Sequence, residues 1–218
     1  KTYTLDYVVS PDPTYGMPGD STTPATVSDI EYDTTQTLAK TLVTTQTGAT
    51  KDGQNVQGYW TFAGWTHKQD GTEIITKLNI RKNETVYGRW VFVPTKDLTV
   101  TKTWTGISPA GTSNLSVTLE LMRDGVATGK TQTLSAAGGW QATFKGLVLY
   151  DNAGKAHVYT VHEQGEKDGK LSLASKDFKV TYGADGHSVT NPLSNPKIQI
   201  TGSKVWDDKD DQDGIRPD

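Results

Sequence analysis

Apolar and polar side chains alternate with a period of two over much of this chain, which predicts half-buried β-strands. The clearest run is Leu98-Thr99-Val100-Thr101-Lys102-Thr103-Trp104. Leu98, Val100, Lys102 and Trp104 share one face, and three threonines share the other. The apolar face is the one to bury, and it carries a lysine where a valine belongs. Tyr159-Thr160-Val161-His162-Glu163 repeats the pattern: Tyr159 and Val161 point inward, so Glu163 does too. In Ser188-Val189-Thr190-Asn191, Val189 points in and Asn191 follows it. Three strands thus each bring one polar group, Lys102, Glu163 or Asn191, to a buried face.

Around these runs the chain divides into units of 1–95, 96–196 and 197–218. In the first, Thr2–Val9 reads as a strand, and the Pro-, Gly-, Ser- and Thr-rich stretch 10–26 as a long loop. Leu38 and Leu42, spaced i, i+4, make Thr37–Thr44 the one plausible short helix. A polar hairpin region (Gly48–Gly58), an aromatic strand (Tyr59–Trp65) and a last strand (Thr85–Val93) ended by Pro94 follow. In the second unit, strands and turns at regular spacing predict a sandwich. The strands are Leu98–Trp104, Leu115–Leu121, Trp140–Phe144 leading to Leu147, His157–Glu163, Phe178–Tyr182 and Ser188–Asn191. Turns fall at Asp124-Gly125, Asp151–Gly154 and Asp185-Gly186. In the third, Ile198–Trp206 echoes Leu98–Trp104 with the same Lys-x-Trp. Lys204 lies 102 residues after Lys102, a domain-sized period.

Composition narrows the function classes. The chain has 218 residues, a net charge of −3 and no basic stripe, which argues against a nucleic-acid partner. No apolar run is long enough to span a bilayer. Cysteine is absent, which excludes disulfides, zinc-thiolate sites and thiol nucleophiles. The chain starts at Lys1 without a signal-peptide pattern and is expected to be a piece of something longer.

The three inward polar groups carry chemistry. Burial pushes a lysine toward its neutral amine, which is a nucleophile. A carboxylic acid in an apolar site can stay protonated and donate a hydrogen bond. Such an acid at Glu163 would polarise the Asn191 carboxamide and shuttle a proton to departing ammonia. Attack of Lys102 on Asn191 would then join two strands by an amide.

Residues 98–191 resemble the CnaB-type domain of Gram-positive adhesins and pilins. The matching pieces are Lys102-x-Trp104, WQATFKGL at 140–147, Tyr159-x-Val161-x-Glu163 and Val189-Thr190-Asn191. The resemblance implies an Ig-like β-sandwich with an autocatalytic Lys102–Asn191 isopeptide bond and Glu163 as its catalytic acid. Residues 197–218 resemble the opening of another such domain. GYWTFAGW at 58–65 and ETVYGRWVF at 84–92 resemble the internalin B-repeat and SHIRT modules, which implies a small β-grasp-like α/β unit. The expected class is therefore mainly β.

The implied function is structural: a stalk segment of a cell-wall-anchored, extracellular Gram-positive surface protein, an adhesin or pilus shaft. It would be a monomer, would need no cofactor, and would have neighbouring domains of its own polypeptide as partners. Its only catalysis would be self-directed. The alternative is a binding module in which residues 1–95 recognise a host glycan or matrix protein through Tyr59, Trp60, Trp65, Trp90 and Phe92. Core packing is the simpler role for those aromatics. The acidic run Asp207–Asp213 is similar to a calcium loop, but Lys209 takes the first-ligand place and no metal site is assigned. His67, His157, His162 and His187 lack ligand spacing and are expected to be exposed.

Overall fold

The computed structural model describes residues 1–195 and Gly202. Seven strands come first: β1 (Thr2–Ser10), β2 (Val27–Glu31), β3 (Thr34–Thr37), β4 (Thr47–Lys51), β5 (Gln54–Thr66), β6 (Lys77–Ile80) and β7 (Glu84–Thr105). Eight follow: β8 (Ser116–Arg123), β9 (Val126–Ser135), β10 (Gln141–Val148), β11 (Tyr159–Glu163), β12 (Lys170–Leu173), β13 (Lys176–Lys179), β14 (Thr181–Tyr182) and β15 (Ser188–Pro192). The chain is mainly β, as its alternation predicts.

Strand β7 is the spine, 22 residues long. Up to Pro94 it pairs in parallel with β1, from Leu5↔Glu84 to Ser10↔Arg89, and antiparallel with β5. From Thr95 it pairs antiparallel with β10 and in parallel with β15. Pro94 does not end the strand, contrary to expectation. It sits where β7 leaves β5 (Gly58↔Pro94) and takes up β10 (Val148↔Thr95), so its missing N–H falls at a seam between partners. Its carbonyl still accepts a bond from the Leu149 N–H, at 3.0 Å. Asp97 reinforces the seam, accepting from Gln57 Nε2 and from the Gly146 N–H, each at 2.9 Å.

Before the seam, Leu5, Tyr7, Ile30, Leu38, Trp65, Ile80 and Val86 form one core cluster, and Trp60, Trp90 and Phe92 another. Their rings pack edge-on or tilted, with Phe62 touching both Trp65 and Trp90. Four of the five aromatics weighed as a stacking surface are therefore core; Tyr59 alone is exposed. Phe62 lies on the bare backbone of Gly88, where a Cβ would collide with its ring. Gly88→Ala is expected to cost about 1–3 kcal/mol, read as a lower urea midpoint at unchanged slope.

No helix forms over Thr37–Thr44. Thr37 ends β3, and the backbone beyond it bonds to distant partners instead of its own next turn. Leu38 N–H donates to Thr76 O, Ala39 N–H to the Tyr7 hydroxyl, and Trp65 Nε1 to Ala39 O. One i, i+4 leucine pair is outweighed by β-branched Thr37, Thr41, Val43 and Thr44. Among the described residues the α-helix that does form is a single turn, α1 (Pro109–Thr112), with Ser108 as N-cap and proline in its first turn.

After the seam, a sheet ordered β14-β15-β7-β10 faces a sheet ordered β11-β8-β9. Leu98, Val100, Leu119, Leu121, Phe144 and Val189 are among the residues packed between them. This is the predicted sandwich. Two of its strands are not evident in the sequence: β9 is a mostly exposed, polar edge, and β12 forms a short hairpin with β13 turned by Ala174 and Ser175 at positive φ; the predicted strand Phe178–Tyr182 is divided between the end of β13 and β14.

Candidate functional site

Alternation carries Lys102 inward with Leu98 and Val100, Glu163 inward with Tyr159 and Val161, and Asn191 inward with Val189. Lys102 is 4 % exposed, and Glu163 and Asn191 are 0 % exposed. Lys102 and Asn191 come from adjacent parallel strands, with Val189↔Lys102 and Asn191↔Trp104 in register. Glu163 comes from the facing sheet, as the last residue of β11. Two sheets thus supply one cluster, buried in the sandwich.

The contacts are close. Lys102 Nζ stands 2.9 Å from Glu163 Oε1 and 3.2 Å from Oε2, with hydrogen-bond geometry to Oε2. Asn191 Nδ2 donates to the same Oε2 at 2.9 Å. Asn191 Oδ1 has no partner, and a buried carbonyl left so costs about 1–3 kcal/mol. Turning the carboxamide by 180° would exchange the two atoms and set Oδ1 against Oε2. A protonated Glu163 could then donate to it.

The surroundings are apolar. The Trp104 ring lies 4.6 Å from Lys102 Nζ and packs edge-on against Trp140 and Phe178. Burial pushes the Lys102 pKa down to about 8, against the opposing pull of Glu163. A lysine near neutrality, a carboxyl group and a carboxamide in mutual contact, sealed from water, are the ingredients of amide exchange.

Sequence reading missed some neighbours. The Tyr182 hydroxyl accepts the Glu163 backbone N–H at 2.9 Å and approaches Glu166 Oε2 at 3.5 Å. Its only sequence signal is a tyrosine before the Asp185-Gly186 turn. His157 is not exposed as expected: its side chain is 14 % exposed because Asp124 holds Nδ1 at 2.6 Å. His162 is more open and pairs with Glu166 at 2.8 Å. Among the described residues, no group of three or more histidines and acids is arranged to hold a metal. Lys204 and the acidic run 207–213 lie outside the described residues.

Residues 98–192, a little under half of the chain, match the Cna protein B-type domain family. Such domains are structural, non-enzymatic modules of surface proteins. The chain is also similar to the collagen adhesin of Staphylococcus aureus, 36% identical over 122 residues. That region is 55% of this chain and 10% of the relative, so the chain spans a small part of that protein's length. Among solved structures, it resembles a single B repeat unit of the S. aureus collagen binding surface protein, at TM-score 0.36 and 16% identity. That likeness covers 89% of this chain and 99% of the other. The pilus adhesin SpaC of Lactobacillus rhamnosus GG gives TM-score 0.33 and 20% identity, over 50% of this chain and 13% of its own.

Proposed function

We propose that this chain is a stalk segment of an extracellular, cell-wall-anchored Gram-positive adhesin or pilus-associated protein, stabilised by an amide bond between Lys102 and Asn191. The proposal divides it into modules 1–95 and 96–196, with the start of a third at 197–218. Among the described residues no core cluster mixes residues from before Pro94 with residues after it, which supports that division. The chemical part rests on one observation: Lys102 Nζ and Asn191 Nδ2 both meet the buried Glu163 carboxyl group at about 3 Å.

The reaction balances within the three residues. In the reactive form Lys102 is a neutral amine and Glu163 a neutral acid. Glu163 donates to Asn191 Oδ1, and the Lys102 Nζ lone pair attacks Asn191 Cγ. A proton passes from Nζ by way of Glu163 to Nδ2, the Cγ–Nδ2 bond breaks, and ammonia leaves. Glu163 ends with the proton it began with. Pre-arranged contact supplies much of the barrier reduction.

Intact mass tests this. The wild-type chain is expected to weigh one ammonia less than its sequence, and Glu163→Ala to keep its full mass. A full-mass wild type would overturn the cross-link. The rate has a pH signature as well. Lys102 and Glu163 share one proton in the reactive form, and that proton is lost as pH rises through the Lys102 pKa of about 8. Cross-linking of freshly folded chain should therefore slow above pH 8, measured by ammonia loss against time.

The binding-module alternative needs an aromatic platform on residues 1–95. Burial of Trp60, Trp65, Trp90 and Phe92 leaves it Tyr59 alone among the five side chains it named.

A further inference from the structure

We propose that Tyr182 is a positioning residue for the Lys102–Asn191 reaction, fixing Glu163 relative to the strand that carries Asn191. This rests on the cross-link reading above and adds a residue that the reading does not use.

One edge of β11 pairs with β8, through Glu163↔Leu119 among others. Among the described residues no strand of its sheet pairs with the other edge, since β11 ends the order β11-β8-β9. Two backbone donors on that open edge find partners in one short segment. Val161 N–H donates to Gly186 O, and Glu163 N–H to the Tyr182 hydroxyl, both at 2.9 Å. That segment leads into β15: Tyr182 pairs with Val189, two residues before Asn191. The hydroxyl therefore bridges the acid-bearing strand of one sheet and the carboxamide-bearing side of the other.

The bridge is oriented. Glu166 Oε2 lies 3.5 Å from the hydroxyl and serves as acceptor for its proton, leaving a lone pair for the Glu163 N–H. Glu166 is itself held by the Gly169 N–H and by His162 Nε2. These bonds, the Gly169 one foremost, hold its carboxyl below the usual range, so it stays an anionic acceptor. Burial pushes the Tyr182 hydroxyl up, so it keeps its proton. The His162 ring stacks on Tyr182, 6.3 Å between centroids and 23° between planes. A tyrosine has two side-chain torsions, and with its ring packed and its hydroxyl bonded at both sides it locates a backbone amide firmly.

Removing the hydroxyl leaves the Glu163 N–H without that acceptor and frees the end of β11. The reacting contacts are near 3 Å, and a displacement of the order of 1 Å in such a contact slows reaction by about a hundredfold.

The test uses the full chain recovered in guanidinium, verified by mass to be unreacted, and diluted into folding buffer. Folding is followed by tryptophan fluorescence, and cross-linking by ammonia loss in acid-quenched samples. Tyr182→Phe is expected to fold, then to lose ammonia about ten- to a hundredfold more slowly than wild type. Leu147→Ala, a core cavity on β10 opposite Lys96 and six residues along β7 from Lys102, is expected to be less stable but to react at the wild-type rate once folded. Equal rates for Tyr182→Phe and wild type would overturn the role of Tyr182 and leave the cross-link standing. Equal slowing in Leu147→Ala would also overturn it, by showing that general looseness is enough. Wild type that loses no ammonia would overturn the cross-link and this inference together. If Tyr182→Phe does not fold, Glu166→Gln takes its place: slower ammonia loss supports the chain of contacts, and an unchanged rate overturns it.

Discussion

Lys102→Met is expected to lower the melting temperature of the 98–192 sandwich by roughly 20–35 °C. Methionine fills most of the lysine's apolar volume, so packing is largely kept while the covalent bond is lost along with the amine partner of Glu163. Asn191 lies 89 positions after Lys102. Closing a loop of that size constrains the unfolded chain by about 4–5 kcal/mol, by analogy with a disulfide. For a domain of this size, each kcal/mol moves the melting temperature by about 4–8 °C. Calorimetry of the two proteins, with mass confirming which is cross-linked, measures the difference. A shift of only a few degrees would show that the bond is absent or mechanically idle in folding.

Glu163→Ala loses the same bond but behaves differently with pH. It strands Lys102 in an apolar site, and removing one partner of a buried pair costs about 3–5 kcal/mol. Glu163 is what holds the Lys102 pKa up toward about 8, so without it the folded-state value falls further below the unfolded one. Between those two values the unfolded chain binds the extra proton, so raising the pH stabilises the fold. Glu163→Ala should therefore gain stability from pH 7 to pH 10, measured as a rising urea midpoint. Lys102→Met, with no amine there, should not. A flat profile in Glu163→Ala would mean that Lys102 reaches water when its partner is gone.

Much of the site was readable because a strand's period of two is rigid. Once Leu98, Val100, Tyr159, Val161 and Val189 are assigned to the core, Lys102, Glu163 and Asn191 must follow them inward. What alternation cannot see is contact made off the ladder. Tyr182 approaches Glu163 across an open strand edge, and Asp124 reaches His157 from a turn, and no spacing rule connects either pair. The first half was harder for a related reason. Thr37–Thr44 carries a weak helical spacing, and its true conformation is set by Tyr7, Trp65 and Thr76, all distant in sequence. Pro94 misled locally because strand-breaking depends on whether a donor is needed at that place, and β7 changes partners there. Edge strand β9 lacks an apolar rhythm since most of it faces solvent.

Stretching the chain between its ends should divide it into a part that lengthens and a part that does not. In the first half, β1 and β7 are parallel neighbours over Leu5–Ser10 and Glu84–Arg89. Tension entering at Thr2 and leaving along β7 pulls them in opposite directions, so their hydrogen bonds are loaded together in shear. They are non-covalent, and they yield. Beyond the seam, β7 and β15 are again parallel neighbours, but tension passes from Lys102 to Asn191 through the proposed amide. Residues 103–190 then carry none of it. Single-molecule extension of wild type should show release from the first half and nothing from the sandwich interior. Glu163→Ala should add a second event of roughly 300 Å, the extended length of the freed loop at about 3.3–3.6 Å per residue. A wild type that shows this second event would overturn the bypass. So would a Glu163→Ala chain that lacks it, since the interior would then be held by something other than the bond. The two halves answer to different physics under load: the first is limited by six residue pairs between β1 and β7 in shear, the second by a covalent bond that does not yield at forces able to open the first.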